Sequence, residues 1–266
     1  MSNIAVTHAP SGLVHAFVAR TERVTPHMVR VTLAGGDLHR FEYRGFDQWF
    51  RLAVPVDDHA RFDNLPSRFA TGGYLRYLTL PKATRPVIRN YTVRAFRPDG
   101  PELDVDFVCH GDTGVAGPWA ESVEPGTEVA FIDQGCGWAP VPSDWTLLVA
   151  DESGLPAVAG ILRDMPRDAV GHAVVELIDA ADAQELDAPE GMTVHWLPRS
   201  AADRVGDRAL THLREMLWPS GVPYAFAVGE SRLVTGTRRL LVTERAVPKA
   251  HVTFCGYWKR GSGAGR

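Results

Sequence analysis

The chain has 266 residues, 45% hydrophobic and 23% charged. That is enough apolar material for a buried core, excludes wholesale disorder, and at roughly 150 residues per domain suggests two domains. With 28 Lys and Arg against 32 Asp and Glu the net charge is −4, which argues against a nucleic-acid binder, ordinarily basic, but leaves room for a local basic pocket. No run of 18 apolar residues is present, so no membrane-spanning helix is expected. Residues 1–10 lack the basic start and apolar stretch of a signal peptide, so a cytoplasmic protein is expected. The three cysteines, Cys109, Cys136 and Cys255, are far apart. None has a partner at zinc or iron–sulfur spacing, so they are read as small buried residues in a reducing compartment, with no metal site.

The first half reads as short strands separated by turn signals. Val14–Val18, Val29–Leu33, Trp49–Val54, Tyr91–Phe96, Leu103–Val108 and Glu128–Ile132 are rich in Val, Phe, Tyr and Leu. Several alternate apolar and polar residues, as Leu103-Asp104-Val105-Asp106-Phe107 does. One short helix is expected near Val115–Ser122. Many short strands with little helix predict an antiparallel barrel. Val56–Thr84 has no periodic element and carries Arg61, Arg68, Arg76 and Lys82; it is read as a long excursion from the barrel.

From Trp145 the rhythm becomes strand–helix alternation. Thr146–Ala150, Ala173–Ile178, Thr193–Leu197, Tyr224–Val228 and His251–Cys255 are read as strands and Leu155–Leu162 as a helix. Leu233, Thr237, Leu240, Leu241 and Glu244 have helical spacing, with Arg232, Arg238 and Arg239 on the other side. Continuous rather than alternating apolar strands predict a parallel sheet covered on both faces. The hinge is placed near Gly137–Asp144, where Pro140 and Pro142 punctuate the chain. The expected fold is therefore an antiparallel Greek-key β-barrel, residues 1–142, followed by a parallel-sheet α/β domain, residues 143–266. One frequent use of that combination places a flavin on the barrel and a pyridine nucleotide on the α/β domain, an analogy of folds that needs residues to support it.

In Arg89-Asn90-Tyr91-Thr92-Val93-Arg94 a strand puts Arg89 and Tyr91 on one face and Thr92 and Arg94 on the other. A guanidinium for phosphate, a ring for stacking and a hydroxyl suit a flavin. The same residues also suit a sheet with a surface Arg and a packed Tyr. Asp106–Gly111 ends a strand, and Gly114–Ala120 opens the short helix. Small residues at a helix start let backbone N–H groups approach a pyrophosphate. Trp119 packs on a cofactor or in the core. No GxGxxG is present; Gly135-Cys136-Gly137 is a fragment of one and precedes a strand.

Together these segments resemble the flavin-binding signatures of siderophore-interacting proteins, also called ferric-siderophore reductases. Asp151–Ala157 resembles the family's segment after the first α/β strand, Val228-Gly229-Glu230 its Ala-Gly-Glu, and Gly256–Gly261 its Gly-Tyr-Trp-basic ending. The resemblance spans roughly Val14 to Gly261. It implies an FAD-dependent oxidoreductase of the ferredoxin-reductase superfamily that passes electrons from NADPH, NADH or ferredoxin through FAD to Fe(III) in a siderophore, releasing Fe(II). Arg89, Asn90, Tyr91 and Thr92 would hold the flavin, Val108 and His110 would line its edge, and Ala116, Gly117 and Trp119 would bound the pyrophosphate and adenine. Asp151, Glu152 and Ser153 would lie near the isoalloxazine, and Glu230 and Arg199 would serve the nicotinamide donor. No protein group is assigned a catalytic role, because the chemistry is carried by FAD.

Arg51, Lys259 and Arg260 are the candidate cations for an anionic ferric chelate; Arg51 and Lys259 read equally as solvated charges at strand ends. The family often has a basic residue at the position of Pro118, so a full basic triad is in doubt. Ser is common at Gly117 and Thr at Ser153. Arg199, Arg232, Arg238 and Arg239 suit a 2′-phosphate, an acidic ferredoxin or an exposed helix face. The alternatives kept open are a general flavin reductase or electron-transfer protein with another acceptor, and a non-catalytic siderophore-binding protein. A monomer is expected, with no nucleic-acid or membrane partner.

Overall fold

The alternating apolar residues of the first half build a curled sheet. A computed structural model describes residues 2–7, 11–55, 62, 65–66, 77, 79, 81, 84–109 and 114–261. Residues 6–24 and 28–136 form one unit, and residues 1–5, 25–27 and 137–266 the other.

The first unit contains β1 (Leu13–Thr25), β2 (Met28–Ala34), β3 (Trp49–Val54), β4 (Val87–Thr92), β5 (Ala95–Arg97), β6 (Glu102–Val108), α1 (Ala116–Ser122) and β7 (Glu128–Gly135). The seven strands run antiparallel in the order β4-β3-β7-β1-β2-β6-β5. Every second residue points inward: Val14, Ala16 and Val18 meet Val29, Val31 and Leu33, then Phe50, Leu52 and Val54, then Leu103, Val105 and Phe107, in one core. The carboxylates that alternate with the last three are covered rather than bathed in water. Arg30 pairs with Asp106 at 2.7 Å and Arg97 with Asp104 at 2.7 Å, and both aspartates are buried.

The edges of this sheet explain its curl. Only Val93 and Arg94 separate β4 from β5, a link of about 10 Å at most, so the sheet must curl until its edges approach. The Val93 N–H bonds the Gln48 carbonyl at 2.8 Å, and the Arg94 N–H bonds the Asp104 carbonyl at 2.9 Å. Across the gap the Tyr91 ring of β4 lies 4.3 Å from the Phe107 ring of β6. The expected single strand Tyr91–Phe96 is thus corrected to two strands at opposite edges. Its alternation does not extend to Arg94, which lies beyond β4. Of the Val56–Thr84 excursion, Phe62 and Leu65 are buried with Ala53 and Ala130 on the sheet's other face; Arg61, Arg68, Arg76 and Lys82 lie outside the described residues.

The second unit contains β8 (Trp145–Ala150), α2 (Leu155–Asp164), β9 (Gly171–Leu177), β10 (Met192–Pro198), α3 (Asp207–Glu215), β11 (Pro223–Glu230), α4 (Ser231–Arg239) and β12 (Val252–Trp258). The strands are parallel in the order β10-β9-β8-β11-β12. All eight residues of β11 are buried, as is α2 from Leu155 to Leu162, which is why these segments read as continuous apolar runs. The helical spacing that begins at Leu233 is regular only to Arg239; Leu240–Glu244 widens into one π-helical turn.

Helix α3 carries only three buried residues, Ala209, Leu210 and Leu213, and has no capping side chain of its own. Glu176 of β9 caps it from 30 residues away, accepting from the Gly206 N–H at 2.7 Å and the Ala209 N–H at 2.9 Å. Its start signal is non-local, and the sequence reading passed over it. Of the cysteines, Cys109 is buried whereas Cys136 and Cys255 are only half-buried, and all three are free thiols, which corrects the expectation that all would be buried. Among the described residues no His, Cys, Asp and Glu cluster fits a metal ion, and no helix is long and apolar enough to cross a membrane.

Candidate functional site

On the first unit the candidate residues gather at the β4 edge and the start of α1. Register pairs Tyr91 with Phe50, Arg89 with Leu52, and Asn90 with Arg51. Directly opposite residues share a face, so Arg89 and Tyr91 belong to the face of Phe50 and Leu52, while Arg51, Asn90 and Thr92 occupy the other. The Arg89 guanidinium is half-buried and donates to the Ile88 carbonyl at 2.8 Å. Thr92 is buried and Asn90 exposed. Burial lowers the Arg51 pKa.

The Tyr91 ring packs on Phe107, and Phe107 lies 5.5 Å from the Trp119 ring, so Trp119 joins the aromatic run under the edge. α1 begins after Gly114, whose φ of +94° is open to glycine. Ala116 is buried. Gly117 is closely packed: a Cβ there would lie 3.2 Å from the Val108 carbonyl oxygen, a tight contact. Val108 is half-buried. His110 lies outside the described residues.

On the second unit the candidates meet at the carboxyl ends of the strands. Asp151 is fully buried and accepts four bonds. Its Oδ1 takes the Ser153 N–H at 2.9 Å and the Ser153 hydroxyl at 2.5 Å, and its Oδ2 takes the Glu230 N–H at 2.7 Å and the Trp258 Nε1–H at 3.0 Å. Burial above all, then the neighbouring Glu152, pushes its carboxyl up to about 6, against the pull of those donors. Glu152 is held by Arg199 at 2.7 and 2.9 Å, and Arg199 reaches Glu176 at 3.3 Å. Burial opposes the Arg199 charge, but Glu152, Glu176 and Asp151 outweigh it and raise its pKa.

Glu230 caps α4 through the N–H groups of Arg232 and Leu233 and accepts the Arg260 N–H at 3.2 Å. Lys259 and Arg260 follow β12 and are exposed. Of the arginines beyond this cluster, Arg232 pairs with Asp207 at 2.6 Å, Arg238 lies over the Phe254 ring and Arg239 is exposed. Thus Asp151 gathers Ser153, Glu230 and Trp258 into one set of bonds, and Arg199 gathers Glu152 and Glu176 into a second, the two sets adjoining where Asp151 and Glu152 are neighbours in the chain. Sequence reasoning missed Glu176, Gly229 and Trp258 as their structural partners. Gly229 and Trp258 stood inside motifs it had already noticed; Glu176, mid-strand, carried no local signal.

Residues 17–137 match the siderophore-interacting FAD-binding domain, and residues 143–261 match the siderophore-interacting protein family. The chain is 31% identical to the ferric vibriobactin reductase ViuB of Vibrio cholerae, over 91% of this chain and 88% of that protein. It is also 31% identical to the NADPH-dependent ferric-chelate reductase of Escherichia coli, over 91% of each. The structure of a siderophore utilization protein from T. fusca superposes with a TM-score of 0.79 at 32% identity, covering 98% of both chains. The ferredoxin reductase of carbazole 1,9a-dioxygenase, at 17% identity and a TM-score of 0.65 over 92% of this chain and 69% of that one, has the same fold. With both units matched in order and across nearly their full length, the chain belongs to the siderophore-interacting protein family.

Proposed function

We propose that this protein is an FAD-dependent ferric-siderophore reductase that takes electrons from NADPH or NADH. The observation that carries the reading is the β4 edge: a half-buried guanidinium and a ring run on one face, a hydroxyl on the other, and a glycine-bearing helix start whose Trp119 continues the ring run. That donor set fits a flavin dinucleotide. Arg89 would hold the pyrophosphate charge, Tyr91 would offer its ring to the isoalloxazine, Thr92 and Asn90 would offer polar contacts, and Val108 and Trp119 would bound the cofactor. Ala116 and Gly117 would let backbone N–H groups approach the phosphates. When bound, FAD supplies two-electron acceptance from a reduced nicotinamide and one-electron donation to Fe(III).

The chain's own task is binding and steering. Arg51 on the barrel and Lys259 and Arg260 at the strand ends would attract an anionic ferric chelate. Fe(II) carries less charge on the same hard oxygen ligands, so reduction loosens the chelate without a protein nucleophile or acid. Glu230, bonded through its N–H to Asp151, and Arg199, paired with Glu152, would shape the donor side. The name of the Escherichia coli relative supports NADPH over NADH as donor.

The test is anaerobic stopped-flow of the FAD-loaded protein with NADPH, NADH and reduced ferredoxin in turn, then with ferric siderophores. A nicotinamide should bleach the flavin and a ferric siderophore should restore its colour. A protein that takes up no FAD, or a reduced flavin that no ferric chelate reoxidises, refutes the reading.

A further inference from the structure

One carboxylate ties three parallel strand ends together. Asp151 follows β8, and its Oδ2 must cross the end of β11 to reach the Trp258 indole on β12. Two local irregularities make the crossing possible. Gly229 of β11 has φ +120°, and a Cβ there would stand 2.6 Å from Asp151 Oδ1; only glycine leaves the carboxylate its path. In the β11–β12 ladder, Gly229 pairs with Gly256 but Glu230 pairs with Trp258. Tyr257 is the extra residue of a bulge, exposed to solvent. Bulges re-aim the side chains that follow them, and this one brings the Trp258 Nε1–H onto Asp151. Two further bonds fix the same stretch of backbone: the Ser231 hydroxyl donates to the Trp258 carbonyl at 2.8 Å, and the Arg260 N–H donates to Glu230 at 3.2 Å. Lys259 lies between these anchors.

We propose that Asp151 is a positioning residue: through Trp258 it sets the placement of Lys259 and Arg260 and so the affinity for the anionic ferric chelate. The proposal rests on the reading of Lys259 and Arg260 as chelate-binding cations. A flexible terminal segment would carry the same charge but would have to be ordered on binding. The network removes that cost by holding the backbone on both sides of Lys259 before the chelate arrives.

Trp258→Phe keeps the ring and removes only the donor. KM and kcat are measured for iron(III) tris-catecholate, which is anionic, and for menadione, a neutral quinone, with thermal melting as the fold control. KM for the iron chelate should rise about five- to ten-fold, the scale of one typical net hydrogen bond, with kcat and both menadione constants unchanged. Gly229→Ala, which drives a methyl into Asp151, should raise the same KM if it folds. The double variant Lys259→Ala/Arg260→Ala reads the underlying assignment separately. If that double variant raises the chelate KM and Trp258→Phe does not, the positioning role is overturned and the chelate-binding reading stands. If the double variant leaves the chelate KM unchanged, the reading itself falls. Equal losses on chelate and quinone in Trp258→Phe would mark a purely structural bond and also overturn the proposal.

Discussion

The two units treat charge in opposite ways. On the barrel, carboxylates such as Asp104 lie under a layer of arginines, in ladders set by strand register. Burial raises the Asp104 pKa, but the hydrogen bonds from Arg97 and Thr32 and the Arg97 and Arg30 charges outweigh it and hold the carboxyl below its usual range. At the strand ends of the α/β unit, Asp151 is buried against another acid and its carboxyl is pushed up. Pairing favours the charge of the barrel's Asp104, whereas burial works against the charge of Asp151.

The comparison can be broken at four points. The largest expected effect is at Glu176, whose carboxylate caps α3 and partners Arg199. Glu176→Ala leaves a buried guanidinium short of a partner and two uncapped N–H groups. Urea unfolding should show a loss of about 3–5 kcal/mol; a loss below about 1 kcal/mol would remove Glu176 from the network.

Next is the pH dependence. A carboxyl whose folded pKa is about 6 binds its proton more tightly folded than unfolded. It therefore stabilises the protein as pH falls from 7 toward 4, by up to about 3 kcal/mol. Asp104, held down in the fold, has the opposite sign: its contribution is present above its unfolded pKa and lost as pH falls through the folded value. Measured against Asp151→Asn, the wild-type protein should gain stability on acidification; measured against Asp104→Asn, it should lose it. Parallel trends would erase the contrast between the units.

Third, Arg89→Ala should weaken FAD binding about 10- to 100-fold, the scale of a lost charge-assisted contact to phosphate. Flavin fluorescence titration reads it, and unchanged affinity would displace Arg89 from the cofactor site. The smallest effect belongs to Arg51. Arg51→Ala should raise KM for iron(III) tris-catecholate about three- to five-fold and leave the menadione constants unchanged; equal changes for both acceptors would assign Arg51 to the fold.

How much of this was legible followed from how local each signal was. β3, β6 and the core face of the barrel could be read because alternation repeats within six or seven residues. The break at Val93 and Arg94 could not, since it depends on β4 and β5 lying at opposite edges of a curled sheet. α3 was hidden because its cap comes from Glu176 on another strand. In the candidate site, the residues Arg89, Tyr91, Asp151 and Lys259 stood in recognisable motifs. The bond from Trp258 to Asp151 did not, because it needs Gly229 to have no side chain and Tyr257 to bulge, and neither shows in spacing.

The central claim is that this chain moves electrons from a nicotinamide, through bound FAD, to chelated iron. The direct measurement is an anaerobic turnover with NADPH or NADH, FAD-loaded protein and a ferric siderophore, with Fe(II) trapped by a colorimetric chelator. The account predicts Fe(II) that appears only when protein, flavin and reduced nicotinamide are all present. Oxidation of the nicotinamide with no Fe(II) formed, or Fe(II) formed equally well without the protein, would contradict it.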